Sequence, residues 1–428
     1  MQILFHADIL QEDFTVLKNA YLGIDGQKIV YLGAEKPKEA YAEVREMSGH
    51  LLMPGLYNLH AHNPMVLLRG VGSNLPLERW LKEKIFPIEA RLREEDVSAG
   101  QRLAMMELLA SGVVSFSDMY FYPHVSAKEI IKAGMKANLN TAIVGFDPTV
   151  PYEENDAVVR ALRLYDTHQH MQKDGVTIDF GIHAEYTNQE AHVKRHAEQC
   201  KKRGAIMHLH LSETKAEHEA CKEKYGKTPT KWFHDLGVFE NLTIAAHCVM
   251  LEKEDIEIFR EKDAWVVHNP SSNMKLASGF LPLEQMLLAD VNIALGTDGA
   301  ASNNNLNFFE EMHLAALIHK GHSGDPTLLS PQKVLEMATI SGAKAQGRVN
   351  SGALKVGNFA DVIAIDFNKP HLMPNHDTLA LLVYSAQASD VTLTMVNGKV
   401  LYEAGKFLTI DTERLQYDLK QSVAHLFA

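Results

Sequence analysis

Two histidines one residue apart, His60-Ala61-His62, close an apolar run near the start of this 428-residue chain. Side chains two apart on a strand share a face, so both imidazoles can aim at one object. His208-Leu209-His210-Leu211-Ser212-Glu213 repeats the arrangement, with Glu213 standing where that run stops. His247 ends a third run, IAAHCV, and Asp298 sits at the tip of a fourth, LGTDG. A hydrogen-bonded core histidine or a capping aspartate explains any one of these. It does not explain four apolar runs that each finish in His or Asp, because a buried carboxylate is costly unless paired or bound to a cation. A divalent ion suits the set: two imidazoles from one strand, a third from another, a carboxylate, and one position left for water. Spacing alone leaves open which of His208, His210 and His247 is the third imidazole. Register favours His210, which lies nearer the strand end and Glu213.

The elements that must position these residues recur along the chain. Strands are expected at 51–62, 113–120, 141–146, 177–184, 205–212, 242–249, 264–270 and 292–299. Helical segments lie between them, such as 95–112 and 190–204, each closed by glycine. Strands alternating with helices predict a parallel sheet, and eight close a barrel. The fold class is therefore α/β, a (β/α)8 TIM-like barrel over 53–349. The two ends read differently, as short strands with the hairpin signals Asp25-Gly26 and Asn397-Gly398. They are expected to join as one small β-sandwich domain built from 1–52 and 350–428. Residues 64–94 form a long insert after the first barrel strand, at the face where such barrels build sites.

Composition narrows the function classes. The net charge of -12 argues against a nucleic-acid partner or an anionic membrane surface. Cys200, Cys221 and Cys248 make an odd set of three without a CxxC, which fits a reducing cytoplasm rather than a disulfide framework. The opening MQILFHADILQEDF has no secretory pattern, and no apolar run is long enough to span a bilayer.

The motifs MPGLYNLHAH, LPLERWLKEKIFPIEARL (75–92), HLHLSET, TIAAHCVMLEKED, VVHNPSSNMKLASG and LGTDGAASNNNLNFFEEM are together far more specific than a bare HxH. On them the chain resembles the amidohydrolase superfamily, and within it the methylthioadenosine/S-adenosylhomocysteine deaminase branch. The resemblance implies a distorted barrel carrying one divalent metal ion, zinc foremost, and a composite β domain. It makes His60, His62, His210 and Asp298 the metal ligands, with Glu213 and His247 a catalytic pair beside them. It implies no direct chemical role for His208. Glu89 would receive ribose hydroxyls, Trp80 would wall the pocket, His183 would lie near the purine, and Ser302 near the mouth. No lysine ends the fourth strand, where binuclear relatives carry a bridging one, so a single ion is expected. Homo-oligomers are the habit of such proteins.

The implied reaction is hydrolytic deamination of an adenine nucleoside, with Asp298 also accepting a proton. S-adenosylhomocysteine users in this branch are expected to grip its carboxylate with arginines from the loops after strands three and four. Here TAIVGFDPTVPYEEN is acidic, and Arg160, the nearest arginine, reads as a helix residue. Methylthioadenosine, 5'-deoxyadenosine and adenosine are the better-supported substrates. Two other readings compete: another reaction on the same site (guanine, pterin or cytosine deamination, or triazine hydrolysis), and a catalytically silent barrel scaffold. His268 is read as mouth packing, and His313, His319 and His322 as surface residues.

Overall fold

Short apolar runs bounded by turn residues fold as strands along the whole chain, and the computed structural model describes residues 2–428. The first four are β1 (Gln2–Leu10), β2 (Val16–Asp25), β3 (Lys28–Gly33) and β4 (Glu43–Pro54). The barrel strands follow: β5 (Leu56–Ala61), β6 (Val113–Met119), β7 (Lys136–Asn140), β8 (Ala142–Ile143), β9 (Val176–Ile178) and β10 (Phe180–Ile182). After these come β11 (Met207–Leu211), β12 (Thr243–His247), β13 (Trp265–His268) and β14 (Asn292–Leu295). The chain returns to the first sheet with β15 (Val362–Asp366), β16 (Val391–Val396), β17 (Lys399–Glu403) and β18 (Lys406–Phe407).

Both chain ends build one eight-stranded sheet in the order β18-β17-β16-β15-β4-β1-β2-β3. It wraps an apolar core that includes Phe5, Ile9, Leu22, Leu52, Val362 and Met395. Its far ends approach one another at the two hairpin turns: a Cβ on Gly398, whose φ is 73°, would meet the Gly26 carbonyl oxygen at 2.0 Å. Only glycine fits such a position.

The barrel is made of two sheets, β5-β6-β7-β9 and β8-β10-β11-β12-β13-β14, with every pairing parallel. The third and fourth barrel strands are each broken: β7 gives way to β8, and β9 to β10, within one or two residues. Closure falls between β14 and β5. Asn58 Oδ1 accepts from the Thr297 amide at 3.0 Å, and its Nδ2 donates to Thr297 Oγ1 at 2.7 Å. The Asp298 amide donates to the His60 carbonyl at 2.9 Å.

Two expected strands are corrected. The run 51–62 is divided, since residues up to Pro54 pair with β15 in the terminal sheet and only Leu56–Ala61 enters the barrel. The third barrel strand begins at Lys136 rather than 141. Its sequence, Lys-Ala-Asn-Leu-Asn, hides the strand because its polar side chains are buried and paired. Alternation of apolar and polar residues is a strand signal only when one face meets water.

The helix Glu94–Ala110 supports β6, and Glu190–Arg203 ends on Gly204 at φ 61°. The insert folds as short helical turns, Leu77–Trp80, Leu81–Ile85 and Phe86–Glu89, over a local core of Trp80, Ile85, Ile88 and Leu92. Leu426 of the last helix, Thr412–Leu426, joins that core. Among the described residues no helix is long and apolar enough to cross a membrane.

Candidate metal centre and active site

The site lies at the C-terminal ends of the barrel strands, and strand register brings its parts to one height. His60 is on β5 and His62 just past it; His208 and His210 share a face of β11; His247 ends β12, opposite Leu211. Ser212, His247 and Asp298 have φ of 46°, 72° and 62°. Left-handed backbone at non-glycine residues costs about 1–3 kcal/mol each and gathers at functional sites. Here it falls at or just past the ends of β11, β12 and β14.

The hydrogen bonds fix which ring nitrogens carry protons. His62 Nδ1 donates to the Met119 carbonyl at 2.6 Å, and His210 Nδ1 donates to the His183 carbonyl at 2.8 Å. A carbonyl only accepts, so in the neutral rings both Nε2 atoms present lone pairs. Those two lone pairs face each other at 3.3 Å. Asp298 Oδ1 lies 3.3 Å from His62 Nε2 and 3.5 Å from His60 Nε2, and the buried His60 Nε2 has no hydrogen-bond partner among the described residues. Lone pairs and a carboxylate aimed at one point repel unless a cation lies among them. Burial pushes His60 down to about 4 and holds His210 well below the usual range, so both are the neutral imidazoles that ligate metals. The donor set fits a divalent ion. His60, His62 and His210 offer nitrogens within 4.8 Å of one another, as do His60 and His247 with an oxygen of Asp298.

The carboxylate is held from its other side. Asp298 Oδ2 accepts from Ser272 Oγ at 2.6 Å and Ser302 Oγ at 2.8 Å, and Oδ1 accepts from the Gly299 amide at 2.7 Å. His247 Nδ1 meets Asn273 Oδ1 at 2.9 Å, which leaves Nε2 directed to Glu213 Oε2 at 3.8 Å. Burial raises the Glu213 carboxyl to about 7. The helix Lys215–Tyr225 fixes its backbone, for Glu217 Oε2 accepts from the Glu213 amide at 2.8 Å.

With that geometry in view, the family match is direct: the amidohydrolase family matches residues 51–401. The chain belongs to the amidohydrolase family. This amidohydrolase is 42% identical over 422 residues to a 5-methylthioadenosine/S-adenosylhomocysteine deaminase of Caldanaerobacter subterraneus subsp. tengcongensis, covering 97% of this chain and 96% of the relative. It is 42% identical over 413 residues to a 5'-deoxyadenosine deaminase of Methanosarcina acetivorans, covering 96% and 94%. An adenosine deaminase of Xanthomonas campestris, solved with bound zinc, superposes with a TM-score of 0.92 at 32% identity, covering 99% of this chain and 98% of that one.

The other expected site residues divide into those at the centre and those displaced from it. The half-buried His183 has its ring 5.0 Å from that of His210. Glu89 accepts from Tyr120 Oη at 2.9 Å, and the Tyr120 ring lies 6.4 Å from that of His62, so the insert reaches the centre. Burial lifts Glu89 to about 7, against the Tyr120 hydrogen bond. Trp80, expected as a pocket wall, packs in the insert's core: it is 4% exposed, and its indole N–H donates to the Val71 carbonyl at 3.0 Å. Ser302, expected near the mouth, donates its hydroxyl to Asp298. Arg160 is exposed on the helix Asp156–His168. His319, expected at the surface, is buried against His268 with Nε2 atoms 3.0 Å apart. Ser272, Asn273 and Tyr120 went unmarked in the sequence. The first two lie in the PSSN block carrying the resemblance, but nothing local shows that they face Asp298 and His247.

Proposed function

We propose that this amidohydrolase hydrolyses the amino group from the purine of an adenine nucleoside, giving the inosine-type product and ammonia. The observation that carries this is the facing pair of Nε2 lone pairs beside Asp298, with the acid Glu213 adjacent and Glu89 held at the rim. His60, His62, His210 and Asp298 are the ligands in this reading, and zinc is the ion, as in the Xanthomonas neighbour. Such an ion lowers the pKa of water toward neutrality and so supplies a hydroxide nucleophile for the carbon bearing the amino group.

The protein's own groups handle the protons. Glu213 delivers one to the ring nitrogen beside the attacked carbon, so negative charge does not build on the ring. Its carboxyl, raised to about 7 by burial, still carries a proton near neutral pH. His247, its Nδ1 fixed by Asn273, presents Nε2 to orient the attacking water. Asp298, pinned by Ser272 and Ser302, takes a proton and passes it to the departing ammonia. Glu89 accepts ribose hydroxyls, and His183 lies against the purine.

Methylthioadenosine, 5'-deoxyadenosine and adenosine are the proposed substrates, and S-adenosylhomocysteine the weaker one. The segment after β8 carries Asp147, Glu153 and Glu154 and no arginine, while Arg160 is exposed on its helix. The test is to incubate the zinc-loaded protein with each of the four nucleosides and follow the ultraviolet shift from adenine to hypoxanthine. Turnover of the first three is expected. Guanine or a triazine turned over while all four nucleosides remain intact would overturn the reading.

A further inference from the structure

We propose that His208 and Asn140 form a relay of hydrogen bonds that fixes the His60 tautomer able to hold a cation. The proposal rests on the metal-centre reading, and assigns work to a histidine and an asparagine with no part in the reaction steps.

His60 Nδ1 and His208 Nε2 lie 2.9 Å apart, and His208 Nδ1 lies 3.2 Å from Asn140 Nδ2. All three side chains are fully buried. Water therefore does not serve as an alternative donor or acceptor, and the three groups settle their protons among themselves. For His60 to ligate through Nε2, that nitrogen must be bare, so the ring proton sits on Nδ1 and donates to His208 Nε2. The single proton of His208 is then on Nδ1 and needs an acceptor. Asn140 supplies one: its Oδ1 has no other partner among the described residues, and a half-turn of the amide exchanges it with Nδ2. The reverse order, with Asn140 donating to His208 and His208 to His60, leaves the proton on His60 Nε2 and blocks ligation. The direction of the relay therefore decides whether His60 is a ligand.

The backbone makes room for this amide. Asn140 ends β7, and Gly181 on β10 lies beside it; a Cβ on Gly181 would meet Asn140 Oδ1 at 2.1 Å. The other two imidazoles are set more simply, each by one main-chain carbonyl. A carbonyl cannot be reversed. A histidine-asparagine relay can, so its last member matters.

The test is zinc affinity, measured by chelator competition and independent of turnover. Loss of an outer partner of a ligating histidine typically weakens metal binding about 10–100-fold. His208→Phe is expected to show that loss, and Asn140→Leu a smaller one. Asn140→Asp should bind zinc at least as tightly as wild type, because a carboxylate only accepts and locks the relay forward. Nitrogen-15 imidazole spectra of zinc-loaded wild type should place the His208 proton on Nδ1. These spectra decide the matter even if His208→Phe fails to fold. A proton on His208 Nε2 in the loaded enzyme, or a folded His208→Phe that binds zinc as wild type does, overturns the relay alone. Wild type that binds no zinc overturns the metal-centre reading and the relay with it.

Discussion

The barrel buries a polar cluster at each pole, and the two are built in opposite ways. At the N-terminal pole Lys136 and Asp361 pair at 2.5 Å, both almost fully buried. Tyr57 Oη donates to Asp361 at 3.0 Å, and the Asn397 amide binds its other oxygen at 3.0 Å. Arg348 donates to Asn138 and the Gly175 carbonyl, and Asn138 donates to Asp179. Of these charged side chains only Asp179 has an unpartnered buried oxygen. A cavity of about 700 Å³ opens beside Lys136, Asp179, Arg203 and Arg348. At the C-terminal pole nitrogen lone pairs and a carboxylate converge on one another instead of on donors. Buried charge and open volume are thus common to structural and chemical clusters. What separates them is whether the donors and acceptors are already spent. At the first pole they tie the barrel to the terminal sheet, and at the second they are left to converge on one point.

Substitutions at the two poles should therefore part company, and the largest effect belongs to Glu213. Glu213→Gln should retain its metal and lose about 10²–10⁴-fold in kcat, the usual contribution of general acid–base catalysis. Metal analysis and steady-state kinetics check both halves; near wild-type turnover would remove Glu213 from the chemistry. Lys136→Met should also keep its metal, but should cost about 3–5 kcal/mol of stability, because it strands the buried Asp361. Denaturant unfolding measures it, and an unchanged midpoint would erase the distinction between the poles. Stripping the metal with a chelator should lower stability by about 2.7 kcal/mol relative to protein at a free-ion concentration 100 times Kd, read as a fall in Tm. The smallest effect concerns Glu89. Below about 7 its carboxyl is protonated and loses acceptor strength, so kcat/KM for a nucleoside should fall as pH drops through that value. Tyr120→Phe removes a hydrogen bond that favours the charged form. The acid limb should then move up by about one pH unit or less. A limb that stays in place would separate Glu89 from substrate binding.

Much of the second pole was legible before folding. Histidines and an aspartate at the ends of separate apolar runs are an improbable coincidence, and the strand period already put His60 with His62 and His208 with His210 on common faces. The first pole was nearly invisible. Lys136 and Asn138 fell outside the expected strand, which began at 141, because polar side chains on a strand look solvated until their partners are known. Those partners, Asp361 and Arg348, lie far along the chain. Trp80 and Ser302 show a related limit: residue type says that an indole or hydroxyl will find a partner, not that it is the Val71 carbonyl or Asp298.

The sequence by itself determined the alternation of strands and helices, the membership of the histidine and aspartate set, and the family, because these rest on local period and residue type. Only the tertiary structure decided that His210 rather than His208 faces His62, that Ser272 and Ser302 pin Asp298, and that Asn140 stands behind His208. Proton positions follow from which groups face one another across strands. Barrel closure and strand register set that facing, and no local pattern encodes it.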